Sequence, residues 1–571
     1  MRRKGMHGIA VLAGMLALAG CGKKTDDDAP LAFVPADTPY VIANTEPMPD
    51  ATVAHFAQQM KVVWPIMLDS VDHGLAEIDK ALVDGKKSDA DSTGMRVIHA
   101  LLDEFRERDT PEKWQQIGLG PKVRSAIYGV GLLPVVRLEL ADADAFRAMI
   151  ARIEQKTGAK LPTAKIGTQD VWTFGNDAVL GMMAIEGRHC VITALPAAAD
   201  EALKRRALGL DRPAKSLADS GALAELDKAR GYLPYGSGWI DTHRMLALLL
   251  DDPSLAALAR GFGEQPPAFE PACRADFERI ATNVPRLSFG YTALDADRME
   301  FKGRLELAQA LAQAVARIAG APPGPPAGKG SLVDFGISMP VLKVRDFWVE
   351  QADAVAKVPF RCAALAPLNQ AFADAKEKLG EMIPPPISDI TGLRVTLGHF
   401  AWADGAAKPD VSGIVLLGSS NPSFLTGLAQ TTVPALAGLK LAADGKPVAL
   451  PAGVLPAEVA GDLDLHVATT ASLLGVAVGK DESARLGAAV AAPAAPAGTL
   501  LDSSYSGEIY AVFDQMIGRF GSMMPAEQRQ QFESQRKLYA FYAKWFKRFE
   551  ARVTAGDEGI DFSESVEFAK P

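Results

Sequence analysis

The stretch Val136-Arg137-Leu138-Glu139-Leu140-Ala141-Asp142-Ala143-Asp144-Ala145-Phe146-Arg147-Ala148-Met149-Ile150 alternates apolar and polar residues, crosses an acidic loop and opens a helix at Phe146. The same succession runs from Ile414 to Leu428, with Phe424 in the place of Phe146, at an offset of 278 residues. A period of two that gives way to helical spacing marks a strand followed by a helix. Its recurrence predicts that the fold is built twice.

Two further echoes lie on either side. Thr292-Ala293-Leu294-Asp295, followed by Met299-Glu300-Phe301, pairs with Thr554-Ala555-Gly556-Asp557, followed by Ile560-Asp561-Phe562, at an offset of 262. Each reads as a turn between alternating strands. Between them, a strand, turn and strand ending in Cys190-Val191-Ile192, with a helix through Leu203, resembles Leu465 to Val478 with a helix through Leu486. Three matches in one order predict internal duplication. Strands joined by tight turns pair antiparallel, so the expected class is α+β: two distantly related halves, each largely antiparallel sheet with packed helices. Val53, Phe56, Met60, Val63, Met67 and Val71 recur at three- and four-residue steps, so each half is expected to open with helices.

Ala319 to Ser331 is rich in Pro and Gly and can continue neither a helix nor a central strand. The expected layout is therefore a signal segment over 1–20, a charged tether over 21–30, a first half over 31–318, a linker over 319–331 and a second half over 332–571.

At the N-terminus, Arg2, Arg3 and Lys4 precede an apolar run from Ile9 to Ala19, which is too short to span a bilayer and of the right size for a secretory signal. Its ending, Leu18-Ala19-Gly20-Cys21, resembles the lipobox of bacterial lipoproteins. The resemblance implies cleavage before Cys21 and attachment to the membrane through acyl chains, such as palmitate, on that residue. Gly22 rather than Asp after the cysteine points to the outer membrane, with the body facing the periplasm. Val34-Pro35-Ala36-Asp37-Thr38-Pro39-Tyr40-Val41 and the layout after it are similar to uncharacterised proteobacterial envelope lipoproteins, a family that implies no settled activity.

Loss of Arg2, Arg3 and Lys4 with the signal changes the formal charge from −9 to −12. An acidic body is poorly suited to phosphate backbones, so nucleic acid is not expected as a partner. With Cys21 acylated, Cys190, Cys273 and Cys362 remain and allow three pairings. Cys190 sits in an apolar strand and reads as an inert thiol, so the favoured disulfide is Cys273 with Cys362, which flank the Pro-rich segment.

Catalytic patterns are missing: the chain has no Gly-x-Ser-x-Gly, no His-Glu-x-x-His and no phosphate-binding loop. His55 and His73 have no partner at i+4 that would complete a metal pair. Asp241-Thr242-His243 is the best local acid and base group, but Asp241 reads as a helix N-cap. Matching Gly238-Trp239-Ile240-Asp241 to Gly507-Glu508-Ile509-Tyr510 leaves Asp241 unduplicated. Phe532 to Phe549 reads as an aromatic helix packed in a core, and Pro384-Pro385-Pro386 as a rigid connector. No catalytic, metal or cofactor residue is assigned. The expected function is non-catalytic binding or scaffolding at the envelope, with an envelope protein or a lipid as ligand; the alternative is a hydrolase whose active site is assembled from distant loops.

Overall fold

The computed structural model describes residues 27–84, 89–265, 269–403, 406, 408–454, 463–521 and 526–570. The signal, Cys21 and the tether through residue 26 lie outside the described residues, as does the side chain of His73. No helix of the described residues is long and apolar enough to cross a membrane. The chain forms two compact units, residues 1–302 with 525–538 and residues 303–524 with 539–571.

The first unit contains β1 (Tyr40–Asn44), α1 (Asp50–Asp84), α2 (Asp89–Arg106), β2 (Ser125–Val130), β3 (Leu133–Glu139), α3 (Ala143–Thr157), β4 (Thr163–Ile166), β5 (Gln169–Gly175), β6 (Val179–Glu186) and β7 (His189–Pro196). It continues through α4 (Glu201–Leu208), α5 (Ala222–Arg230), β8 (Tyr235–Asp241), α6 (Thr242–Asp251), α7 (Pro253–Gly261), α8 (Pro271–Asn283), β9 (Arg286–Leu294) and the start of β10 (Arg298–Glu306). Its sheet is antiparallel, in the order β4-β5-β6-β7-β3-β2-β1-β8-β9-β10.

Alternation sends Val41, Ala43, Ala126, Val135 and Val191 to one face, where Ala207 and Leu208 of α4 and Leu223 of α5 close over them. Leu138 and Cys190 face the other way, beneath Phe146, Met149, Ile150 and Ile153 of α3. That helix is covered in turn by α2 and the turn Gln115–Ile117. Each such aliphatic side chain contributes about 1.5–3 kcal/mol when fully buried.

The second unit contains α9 (Gln309–Ile318), β11 (Val333–Ser338), α10 (Val341–Lys357), α11 (Ala366–Gly380), β12 (Ile390–Ala401), β13 (Asp410–Ser419), α12 (Pro422–Thr432), β14 (Val448–Ala449), β15 (Leu465–Thr469) and β16 (Leu473–Val478). After these come α13 (Glu482–Ala491), β17 (Thr499–Ser506), α14 (Ile509–Gly521), α15 (Ala526–Trp545, whose residues through 538 group with the first unit), β18 (Phe546–Gly556) and β19 (Gly559–Phe568). The order is β14-β15-β16-β13-β12-β11-β17-β18-β19, antiparallel throughout. Strand for strand this repeats β5-β6-β7-β3-β2-β1-β8-β9-β10 of the first unit. The duplication is in the topology; among the described strands only β4 has no counterpart.

The ladders also fix the register between copies. Asp142, whose carboxylate accepts from the backbone N–H groups of Asp144 and Ala145 at 2.9 Å, caps α3; Asn421, accepting from Phe424 N at 3.2 Å, caps α12. These caps lie 279 residues apart, not 278. Val135, not Val136, is therefore the counterpart of Ile414, and both face the buried side. A slip of one residue exchanges the faces of a strand, so the correction decides which side chains can be compared. Carried through the pairings, Ile42 corresponds to Phe335, Ala126 to Arg394, Ser237 to Asp502 and Phe289 to Ala551. The last offset is 262, that of the hairpin echo.

Three other readings change. Each half opens with a strand, β1 or β11, and only then a helical pair. The Pro/Gly segment 319–331 is part of the second unit, whose chain begins at Gly303; Pro322 and Pro323 are buried there. The aromatic helix ends at Trp545, and Phe546 opens β18, because the aromatics past that point alternate across a ladder. Pro384-Pro385-Pro386, expected as a rigid connector, runs into a turn through a cis Pro385-Pro386 bond.

Candidate functional site

The sheet of the second unit buries an ion group among the aliphatic side chains of its covered face, beside Leu416. On its covered face, Arg394 is almost wholly buried and donates to Asp334 Oδ1 at 2.7 Å, Asp502 Oδ1 at 2.8 Å and the carbonyl of Pro323 at 2.8 Å. Asp502 Oδ2 accepts from Ala327 N at 2.6 Å, so the ion group also fastens the Pro/Gly segment to the sheet. Arg548 does the same at the next pleat, donating to the carbonyls of Gly328 at 3.2 Å and Ser331 at 3.0 Å. Removing charges from water is costly, and such a group persists because each guanidinium and carboxylate finds a partner.

The opposite face is aliphatic as well. Phe335, Val395, Val415 and Val476 lie side by side across β11, β12, β13 and β16; one pleat away lie Ile337, Leu393, Leu417 and Leu474. At about 4.8 Å per strand these rows are about 14 Å wide, and neither contains a charged residue. Phe335, Val395 and Val415 are 37%, 39% and 40% exposed. An antiparallel sheet with one solvated face ordinarily turns polar residues to water; a contiguous apolar one marks a surface with a partner.

The helices that follow β13 and β17 carry further apolar side chains. From α12 come Phe424 and Leu428, both exposed. At the other end Tyr505 of β17 stacks on Phe549 with ring centroids 4.7 Å apart and meets Tyr510 of α14 at 6.3 Å, and Tyr510 lies 6.3 Å from Phe513. Burial, and Tyr510 beside it, raise the pKa of the Tyr505 phenol, which stays neutral. The two rows offer neither nucleophile nor base. What the face can do is remove apolar surface from water.

The residues singled out in the sequence lie elsewhere. Cys273 and Cys362 are both disulfide-bonded, whereas Cys190 is a buried free thiol that burial pushes up to about 12. Asp241 caps α6, accepting from Arg244 N at 3.0 Å. Its counterpart by register is Ser506, not Tyr510. His243 Nδ1 is 3.3 Å from Glu278 on an exposed surface, and His55 is buried edge-on to Phe56. No group of three or more metal-ligating side chains occurs among the described residues.

Inspection of composition missed the open face, yet its signal is present in the sequence. In Asp334-Phe335-Gly336-Ile337 and Leu393-Arg394-Val395 the residues that fit a covered face poorly alternate with those that fit it well. No family model, curated protein or solved structure matches the chain.

Proposed function

We propose that the protein is a non-catalytic binding protein of the bacterial envelope, held to the membrane through acyl chains on Cys21, that takes an apolar chain of a lipid on the open face of its second unit. The observation that carries this reading is the uncharged row Phe335, Val395 and Val415, more than a third exposed in a folded sheet. A bound acyl chain covering these rows would gain about 25 cal/mol for each Å² of apolar surface removed from water. The outer membrane and the periplasm follow from the lipobox resemblance and from Gly22. Cys21→Ser should leave unprocessed precursor without lipid label.

The deciding experiment is native mass spectrometry of residues 22–571, exported to the periplasm and purified without detergent. A discrete extra mass that is a lipid, and that disappears in Val395→Asp, supports the reading. A bare chain mass that stays bare after incubation with phospholipid overturns it.

A further inference from the structure

We propose that the lipid taken by the second unit has a cationic ammonium head, which Glu564 of β19 receives beside the stacked rings of Tyr505 and Phe549 while the apolar chain lies on Phe335, Val395 and Val415. This rests on the lipid chain proposed for that face and adds the chemistry of its head. Residues directly opposite one another in a ladder share a face of the sheet, so the pairings can be followed strand by strand. Val476, Val415, Val395 and Phe335 continue through Ser503 of β17 and Ala551 of β18 to Glu564. At about 4.8 Å per strand this row is about 29 Å long. It is apolar as far as Phe335, small at Ser503 and Ala551, and ends in an exposed carboxylate. That is the order of groups that an amphiphile with a cationic head would match.

The middle of the row is a trough. Ser503 and Ala551 are flanked one pleat away by Tyr505 and Phe549 on one side and by Leu501 and Val553 on the other. Tyr505 and Phe549 stack with ring centroids 4.7 Å apart, and Glu564 lies one pleat from Val566, the partner of Phe549. Across the same seven strands, Glu564 is the one charged residue in this row and in the rows on either side of it. Its charge reaches the aromatic pair: burial, Tyr510 and Glu564 together raise the pKa of the Tyr505 phenol. An aromatic ring attracts a cation through the negative potential of its face, and a carboxylate beside it adds its charge. A phosphate or carboxylate head without an ammonium group would meet Glu564 with like charge. The first copy has neither the trough nor the stacked pair. Ile240 and Leu287 stand where Tyr505 and Phe549 do, Gly238 replaces Ser503, and the ring of Phe289 fills the place of Ala551. The head site is therefore particular to the second unit.

The test uses residues 22–571 and two probes of one chain length, dodecyltrimethylammonium and dodecanoate, each below its micellar concentration and read by calorimetric titration. The native chain should bind the ammonium probe at least about fivefold more tightly. Glu564→Gln should remove that preference by weakening the ammonium probe alone, and Tyr505→Leu should reduce it with dodecanoate unchanged. Glu225→Gln, the same change of charge at an exposed place on α5 of the first unit, should leave the preference intact, which separates Glu564 from the acidity of the whole chain. Glu564 is exposed, so its replacement leaves the fold in place. Equal binding of the two probes, unchanged by Glu564→Gln, overturns the ammonium head while the apolar face stands. Binding of neither probe removes the apolar face and the head site with it.

Discussion

Met149 of α3 and Leu428 of α12 occupy the same helical position, 279 residues apart, yet Met149 is 2% exposed and Leu428 42%. In the first unit α2 and the turn Gln115–Ile117 cover the helix; in the second unit the equivalent face of α12 is left open. The first copy is thus an internal control at this helix position, though not across the whole sheet face, since Ile42, the counterpart of Phe335, is 38% exposed against 37%.

An acidic substitution should separate the two copies. Leu428→Asp, at the place equivalent to Met149, puts its charge in water and should keep thermal stability within a few degrees while weakening binding of apolar ligand. Met149→Asp buries a carboxylate without a partner and should cost more than about 3 kcal/mol. Urea unfolding, with binding of a fluorescent fatty acid as second readout, checks both. Equal destabilisation by the two changes would remove the distinction.

The ion group under the second sheet should be all-or-none. Arg394→Ala leaves Asp334 and Asp502 buried and opposed, at a cost of about 3–5 kcal/mol. The first copy has Val41, Ala126 and Ser237 at the three equivalent places, so the triple change Asp334→Val, Arg394→Ala and Asp502→Ser should cost less than Arg394→Ala alone. Chemical denaturation of the two variants measures the difference.

Two buried groups of the first unit should tilt stability in opposite directions with pH. Unfolded, the His189 imidazole takes up its proton near pH 6.5; folded, only near pH 4. Its contribution is whole above 6.5 and drains away as pH falls toward 4, by about 3 kcal/mol. Burial raises the Asp227 carboxyl from 3.8 to about 7, so its contribution is whole at low pH and declines as pH rises through 7. His189→Gln should flatten the acid limb, and Asp227→Asn should raise the melting temperature at about pH 8 but not near pH 4.

The thiols give a simple covalent test. Digestion without reductant should yield one crosslinked peptide containing Cys273 and Cys362, and Cys190 should resist alkylation until the chain unfolds. A crosslinked peptide containing Cys190 would contradict this assignment.

The duplicated α+β fold was legible because hairpins leave short, local patterns: the pairing of Thr292 with Thr554 needed no correction. The match of Val136 to Ile414 slipped by one residue because β3 carries buried residues on both faces, Val135 toward α4 and Leu138 toward α3, so alternation there does not choose a register. The Pro/Gly segment looked like a linker because what holds it, Arg394, Asp502 and Arg548, lies 60 to 230 residues away in sequence. The open face was hidden for a related reason: an aliphatic strand looks the same whether its partner is a helix of its own chain or a ligand.

The position of β1 between β2 and β8 has a consequence for how the chain is made. Tyr40 leaves the ribosome about 195 residues before Tyr235, a wait of roughly 10 to 40 s at bacterial synthesis rates. Throughout that interval one edge of β1 has no partner. The second copy repeats the problem, because β11 waits for β17. A chain laid down centre-first exposes two unfinished sheet edges in turn, each a template for misassembly with a neighbouring chain, and its production in the cell should depend on factors that shield nascent strands.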